Sequence, residues 1–225
     1  MILFDESHNE FCTVSGIRKR RLYSLWREHI EPYGLTHTRS RKEFRKLLKE
    51  CNVIVIVEPH SYFTLKETLS LFDFVLAGNS LILVGNHHNS PRYYSYGCNE
   101  ILNVISKPFG IRFNVDEIRF YRGNIIENLA EHPVCRKVDL IHYWRGCSLS
   151  LLRHTKKSNI SKIAVGTRHD TSEVYRKAPV AAAVYEEKGR IFCLGDSSVW
   201  ADPREPLKDD NFLFAENVAK WALQY

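Results

Sequence analysis

Four short apolar runs in this 225-residue chain each end in a burst of acids, histidines and small hydroxyls. Ile2-Leu3-Phe4 leads into Asp5-Glu6-Ser7-His8, and Val53 to Val57 leads into Glu58-Pro59-His60. Leu81 to Val84 leads into Gly85-Asn86-His87-His88, and Ile191 to Leu194 leads into Gly195-Asp196-Ser197-Ser198. Imidazole and carboxylate are donors that zinc, manganese and iron accept, so His8, His60, His87 and Asp196 form a candidate set for a divalent metal. The same groups suit acid/base hydrolysis, with His87 or His88 as general base, Glu58 or Asp5 orienting it, and Ser7, Ser197 or Ser198 as nucleophile. The catalytic candidates are thus His87, His8, Glu58 and Asp196. Asp5, Ser7, His60, Asn86, His88, Ser197 and Ser198 are candidates for holding a ligand. Gly195-Asp196-Ser197-Ser198 is also a turn able to present backbone N–H groups to an anion. Each residue has a structural reading beside the chemical one, because strand-end acids and hydroxyls accept the N–H groups of the following turn. No H-E-x-x-H, Gly-x-Ser-x-Gly, Walker A or Gly-x-Gly-x-x-Gly sequence occurs. Nucleotide cofactors of the latter two classes are therefore disfavoured, and a divalent metal is the one cofactor the composition suits.

Bringing these four bursts together requires a particular architecture. Continuous β-branched runs separated by helical patterns indicate a parallel sheet covered on both faces. In such sheets ligands bind outside the carboxyl ends of the strands, so the bursts share one rim. After the first strand, Gly16 to Tyr33 carries Leu22, Leu25, Trp26, His29, Ile30 and Tyr33 at helical spacing, stopped by Pro32 and Gly34. Leu35-Thr36-His37 reads as a short strand. Ser40-Arg41-Lys42-Glu43 and Thr64-Leu65-Lys66-Glu67 read as capping boxes. The first opens a helix with Phe44, Leu47 and Leu48 inward; the second opens one that buries Leu65, Leu69, Phe72 and Leu76. A short helix is expected over Asn99 to Ile105, after a tyrosine-rich stretch from Pro91 to Gly97. Between Ile111 and Leu152 the periodicity is weak, with β-like fragments near Ile111, Val138 and Leu149. Lys162 to Val165 is a strand, and Val180 to Tyr185 joins Arg190 to Leu194 through Glu187-Lys188-Gly189, a hairpin turn with Gly189 placed for positive φ. A last helix from Asn211 to Leu223 follows Asp209 and Asp210 and buries Phe214, Val218, Trp221 and Ala222. The expectation is a single α/β domain over residues 1–225, with an irregular insertion around 90–155.

The bulk numbers narrow the classes. No apolar run approaches the roughly 20 residues that cross a bilayer, and a strand begins almost at Met1, so neither membrane insertion nor a leader is expected and the cytoplasm is the expected location. The six cysteines are scattered with no C-x-x-C pair, which disfavours a zinc site of Cys pairs and a disulfide framework. Net charge is +6, and Arg18 to Lys49 alone holds eleven Lys and Arg against three Glu, leaving the remainder close to neutral. Arg18, Lys19, Arg20, Arg21, Arg41, Lys42 and Arg45 are thus candidates for a polyanion or nucleic acid, with Tyr93, Tyr94 and Tyr96 as stacking surface. The other reading makes them the solvated faces of two amphipathic helices. Consecutive basic residues point around a helix rather than along one stripe, and nucleic acid is not the favoured partner.

Several of these segments resemble proteins of the class I glutamine amidotransferase-like superfamily. They are Ile2-Leu-Phe-Asp-Glu-Ser-His8, Gly78-x-Ser80-Leu-Ile-Leu-Val-Gly-Asn-His87, Glu131-His132-Pro133-Val134, Ala181 to Ala183, Gly189-Arg190-Ile-Phe-Cys-Leu-Gly195-Asp196-Ser197-Ser198, and Asp210-Asn211. The likeness extends to uncharacterised bacterial and archaeal domains and to domains of intraflagellar-transport and gliding-motility accessory proteins. It implies a flavodoxin-like three-layer sandwich, mostly parallel, with a β-hairpin element near the end. True amidotransferases carry a cysteine nucleophile in a Gly-x-Cys-x-Gly elbow with a downstream His-x-Glu, and no Gly-x-Cys-x-Gly exists here. At the elbow-like position stands Asn86-His87-His88, while Cys98 lies among Tyr93, Tyr94, Tyr96 and Asn99. The expected function is a ligand-binding or protein-interaction domain without the catalytic cysteine, taking a small molecule or protein at the rim. The alternatives are a hydrolase, metal-dependent or not, at the His/Asp/Glu rim, and a polyanion binder through residues 18–49.

Overall fold

The computed structural model describes residues 1–16, 21–89, 97–152, 159–202 and 210–225. Arg18, Lys19, Arg20, Tyr93, Tyr94, Tyr96 and Asp209 lie outside these residues, as does the side chain of Arg21. Seven strands form the central sheet: β1 (Ile2–Asp5), β2 (Leu35–Thr38), β3 (Val53–Val57), β4 (Ser80–Val84), β5 (Ile160–Val165), β6 (Val180–Glu186) and β7 (Arg190–Leu194). Their order across the sheet is β5-β6-β7-β4-β3-β1-β2. β2, β1, β3, β4 and β7 are mutually parallel, whereas β6 runs antiparallel to both β5 and β7. The architecture is a flavodoxin-like α/β sandwich with a hairpin of β6 and β7 built into it.

Alternation along the strands divides the core in two. Ile2, Phe4, Val53, Val55, Val57, Ile82, Val84, Phe192 and Leu194 face helices α1 (Ser24–Ile30) and α5 (Asn211–Ala222), meeting Trp26, Ile30, Phe214, Val218 and Trp221. Leu3, Ile54, Ile56, Leu81, Leu83, Ile191 and Cys193 face α2 (Arg41–Leu47), α3 (Leu65–Leu76) and α4 (Cys98–Ser106). Burial on both faces is why these strands read as unbroken apolar runs rather than alternating ones. The chain leaves β1 for β2 by α1 on one face and returns to β3 by α2 on the other. The strand order therefore reverses between β1 and β3, and this is the crevice where doubly wound sheets ordinarily receive ligands. Among the described residues no helix is long and apolar enough to cross a membrane.

Several sequence expectations are corrected. The first helix is shorter than Gly16 to Tyr33: Arg21–Leu22 pairs in parallel with Cys12–Thr13, α1 starts at Ser24, and Glu31–Tyr33 is a 3-10 turn ended by Gly34 at φ 83°. Trp26 and Ile30 are buried, but Leu22 and Leu25 are exposed, and His29 bonds Glu216 at 2.8 Å on the surface. Second, α3 turns a different face inward. Leu71, Phe74 and Val75 enter the core, while Leu65, Leu69 and Leu76 are exposed and Phe72 is half-buried against Phe109. The helix carries two apolar stripes, and periodicity alone does not say which one meets the sheet. Its capping box is complete, with the Thr64 side chain accepting from the Glu67 N–H and Glu67 from the Thr64 N–H. At α2 only half a box forms: Ser40 accepts from the Glu43 N–H, but Glu43 accepts from the Thr38 hydroxyl at 2.5 Å.

Third, Gly189 in the β6–β7 turn is not in the left-handed region. It is required by proximity, because a Cβ there would lie 2.0 Å from the carbonyl oxygen of Val75 and 2.7 Å from that of Asn79. Backbone cannot swing aside as a side chain does, so Gly189→Ala is expected to cost roughly 1–3 kcal/mol. Urea denaturation should show a lowered midpoint with an unchanged slope; an unaltered midpoint would mean that the turn and α3 separate freely.

Candidate functional site

The rim collects the strand ends as expected, and most of its polar groups bond one another. At the end of β1, Asp5 accepts from the Ser7 N–H at 3.0 Å and the Ser7 hydroxyl at 2.7 Å, and its other oxygen lies 2.6 Å from His8 Nδ1. The His8 N–H donates to Glu10 at 2.9 Å, and His8 Nε2 lies 3.5 Å from Glu67 at the start of α3. The ring is stacked on Phe63 at 3.8 Å between centroids and meets Phe44 edge-on at 5.2 Å. Asp5, His8, Glu10 and Glu67 are all buried. Burial, then the neighbouring Asp5 carboxylate, raises Glu10 well above the usual carboxyl range, which favours its protonated form.

A second knot joins three adjacent strands. Glu58 follows β3 in a left-handed conformation, φ 46°, and is fully buried. One carboxylate oxygen accepts from Asn86 Nδ2 at 2.9 Å and from the hydroxyl of Ser197, with Cys12 Sγ at 3.7 Å. Asn86 Nδ2 also reaches Ser197 Oγ at 3.1 Å. With its amide nitrogen so used, Asn86 presents Oδ1 to the N–H and Nδ1 of His87, both at 2.8 Å. Asn99, at the start of α4, donates to the carbonyls of Asn86 and Asn114 at 2.7 and 2.9 Å.

A third knot surrounds Asp196. Oδ1 accepts from the Ser198 N–H at 2.8 Å, and Oδ2 from the N–H groups of Trp144 and Arg145 at 2.7 and 3.2 Å. Ser197 is buried with its carbonyl oxygen held by the Tyr23 hydroxyl at 2.5 Å, and Ser198 is half-buried. His87 is half-buried too. Burial lowers its pKa and so favours the neutral ring, opposed by the Glu117 carboxylate. His88 is exposed, at φ 42°, with Glu117 at 3.7 Å and Glu173 at 3.6 Å.

The β1–β3 crevice is filled by the chain's own segments. The His8 carbonyl accepts from the N–H groups of His60 and Ser61 at 3.1 and 2.9 Å, and the Phe11 N–H donates to the Glu58 carbonyl at 3.0 Å. His60 is buried in this contact. Glu6 turns away from the rim to hold the Val14 and Ser15 N–H groups and Arg39.

The strand-end residues therefore fall into separate groups rather than one cluster. Among the described residues, the group whose ligand-type atoms lie within 4.8 Å of one another is Asp5, His8 and Glu10. His60, His87 and Asp196, the other members of the expected metal set, are not in it. Asp5, His8 and Glu10 have a metal-like composition, and each is hydrogen-bonded to another of the three. On α2, Arg41 donates to the Tyr62 carbonyl at 3.0 Å and lies 4.0 Å from Glu67, Arg45 lies 3.9 Å from Glu67, and Lys42 is exposed. Sequence reasoning did not single out Glu10, Asn99 or Asn114. The spacing Asp5-x-x-His8-x-Glu10 was the one local signal; the asparagines gave none. All six cysteines are buried, and no disulfide joins them among the described residues. Burial pushes Cys98 and Cys147 well above the usual thiol range and Cys51 and Cys135 to about 11.

No model of a known protein family and no curated protein matches the chain in sequence. Solved structures do match. The mmIFT52 N-terminal domain superposes over 99% of this chain and 97% of that one, with a TM-score of 0.75 and 16% identity. A ThuA-like protein from Bacteroides uniformis gives a TM-score of 0.59 at 12% identity, covering 98% of this chain and 90% of that one. A cytoplasmic protein from Salmonella typhimurium gives 0.57 at 10%, covering 98% of each. At these identities the likeness shows a shared α/β fold. Within this fold the strained position directly after β3 holds a carboxylate, Glu58, and the turn after β4 holds Asn86, both engaged with neighbours.

Glu10 supplies a pH test. Because its folded pKa is raised, its contribution is fully present below the unfolded value near 4.5 and is lost as pH rises toward the folded value. Gln keeps the protonated shape, so Glu10→Gln should gain stability relative to the parent as pH is raised from 5 to 8. Denaturation at both pH values checks this, and an equal difference at the two would remove the protonated carboxyl.

Proposed function

We propose that this chain is a non-catalytic binding domain of the amidotransferase-like fold, a single domain over its length, that recognises a protein partner through the loops around the strand-end rim. The observation that carries this reading is the filled switch-point crevice, in which residues 6–12 bond the loop after β3. A substrate has no access to acids that are buried and spent on internal hydrogen bonds, and thiols pushed upward by burial supply little thiolate near neutrality.

What the rim offers outward is a surface. Val115, Tyr121, Trp144 and Val174 are exposed. Their loops are tied together by Arg119 pairing with Thr171, by the Glu117 N–H on Glu173 at 2.8 Å, and by the Tyr121 N–H on Asp170 at 2.8 Å. Trp144 is fixed through Asp196 and stacks on His142 at 5.5 Å. Aromatic anchors on loops braced from behind, rimmed by Arg119, Arg145, Glu117 and Glu173, have the composition of a protein-binding patch.

A photo-crosslinking residue placed at Trp144 or Tyr121 should capture the same partner, and one placed at Glu28 on α1 should not. Capture that is identical from all three positions would sink the rim assignment. The purified chain should release no ammonia from glutamine, and glutamine-dependent release that disappears in Cys98→Ala would overturn the non-catalytic reading.

His87 favours a second reading as a hydrolase. Its Nδ1 is held by Asn86 and its ring is kept neutral by burial, the state a general base needs. Turnover of an amide or phosphoester, with or without added zinc or manganese, that His87→Ala abolishes in a folded protein would establish it. Equal rates in parent and variant would exclude His87 from any such activity.

A further inference from the structure

Helix α3 is apolar around more than half of its circumference. Thr68, Leu71, Phe74 and Val75 face the core, yet Leu65, Leu69 and Leu76 remain 75%, 51% and 60% exposed. With half-buried Phe72 they form a stripe at positions 65, 69, 72 and 76. Successive steps of four, three and four residues are the a/d spacing of a helix-pairing seam. One lone exposed leucine is ordinary, but three aligned on one helix face mark a contact surface.

The spacing reads the same in both directions, so an antiparallel copy of α3 superposes the stripe on itself. Leu65 then faces the partner's Leu76, and Leu69 faces the partner's Phe72. In an antiparallel pair related by a two-fold axis, each flank of the seam meets the same flank of the other copy. Only one flank is polar here, since the other is sunk in the core. It carries Lys66 and Asp73, both exposed. Under the two-fold these face each other across the seam, offset by two residues, or about 3 Å at the helical rise. Opposite charges thus meet twice, whereas a parallel pair would set the polar flank against the buried one. The same flank opens on a cleft of about 710 Å³ between α2 and α3, lined by Arg45, Lys49, Lys66 and Asp73.

We propose that the exposed stripe of α3 is a homodimer interface, occupied by α3 of a second copy of this chain in antiparallel orientation. The seam spans 12 residues, about 18 Å, and the association is correspondingly modest. It lies on the helix layer rather than on the rim loops, so it leaves the partner-binding face free.

Sedimentation equilibrium of the full chain over a concentration series tests it. The parent should fit a monomer–dimer equilibrium, and Leu69→Glu should weaken dimerisation at least about tenfold. Lys66→Glu and Asp73→Lys should each weaken it by about threefold to tenfold, having set like charges opposite each other twice. The double variant Lys66→Glu/Asp73→Lys should return to parental affinity, a recovery that a misfolded chain cannot give. A parent that remains monomeric at its highest soluble concentration would overturn the proposal and leave the stripe to a helix of a different protein. A dimer indifferent to Leu69→Glu would overturn it too, and a dimer in which the double swap adds to the single losses would exclude the antiparallel register.

Discussion

The rim depends on one buried carboxylate. Glu58 sits directly after β3 with its backbone in the left-handed region, a conformation that costs roughly 1–2 kcal/mol for a residue with a Cβ. Burying its charge is expensive unless hydrogen bonds replace the lost water. Asn86 from the end of β4 and Ser197 from the end of β7 supply them, and Cys12 contributes from the segment that returns over β1. Once Glu58 fixes the amide of Asn86, the orientation of His87 follows, and Asn99 locks the turn from the side of α4. Three strand ends and one helix start thereby become a single rigid unit. Such a unit holds its geometry well and leaves few groups uncommitted for chemistry.

The pattern Asp5/His8/Glu10 obeys the same logic with a different solution. Two carboxyl groups are brought together by burial beside a His8 ring that contacts Phe63 and Phe44, and burial and the Asp5 carboxylate raise the Glu10 pKa, favouring its protonated form. The His8 imidazole is held between Asp5 at 2.6 Å and Glu67 at 3.5 Å. The consequence is that the loop after β1 lies down across the loop after β3, covering the crevice that the strand order creates.

How legible this was in the sequence differs by level. The parallel sheet could be read because strands buried on both faces leave unbroken β-branched runs, and because Thr64 and Glu67 announce the start of α3. The rim was legible for the same reason, as each run stops where its polar burst begins. The pairing of those bursts was not, because it is set by contacts of long sequence separation: Glu58 and Ser197 are 139 residues apart, and Asn86 and Ser197 are 111 apart. Local spacing carries no trace of such contacts. It does carry Asp5, His8 and Glu10, whose neighbourhood is short-range. The face of α3 was misread for a related reason: its outward stripe has cleaner helical spacing than the inward one, which interrupts its apolar residues with Thr68 and Glu67, the latter recruited for the cap and for His8.

Sequences that specify one structure keep local pattern and tertiary environment in agreement, and departures concentrate where function or assembly overrides folding. This chain departs in three ways: a carboxylate in a strained strand-end position, acids buried in a crevice, and leucines of helical periodicity facing water. The first two are resolved inside the molecule, since hydrogen bonds and a retained proton compensate each group, and the result closes the rim. The third has no internal resolution, because no rearrangement of α3 buries both of its apolar stripes against one sheet. Rotating the helix to bury Leu65, Leu69 and Leu76 would expose Leu71, Phe74 and Val75 and carry the Glu67 carboxylate away from His8. The inward stripe is thus tied to the rim through Glu67 and His8 as well as packed in the core. The other stripe stays exposed among the described residues.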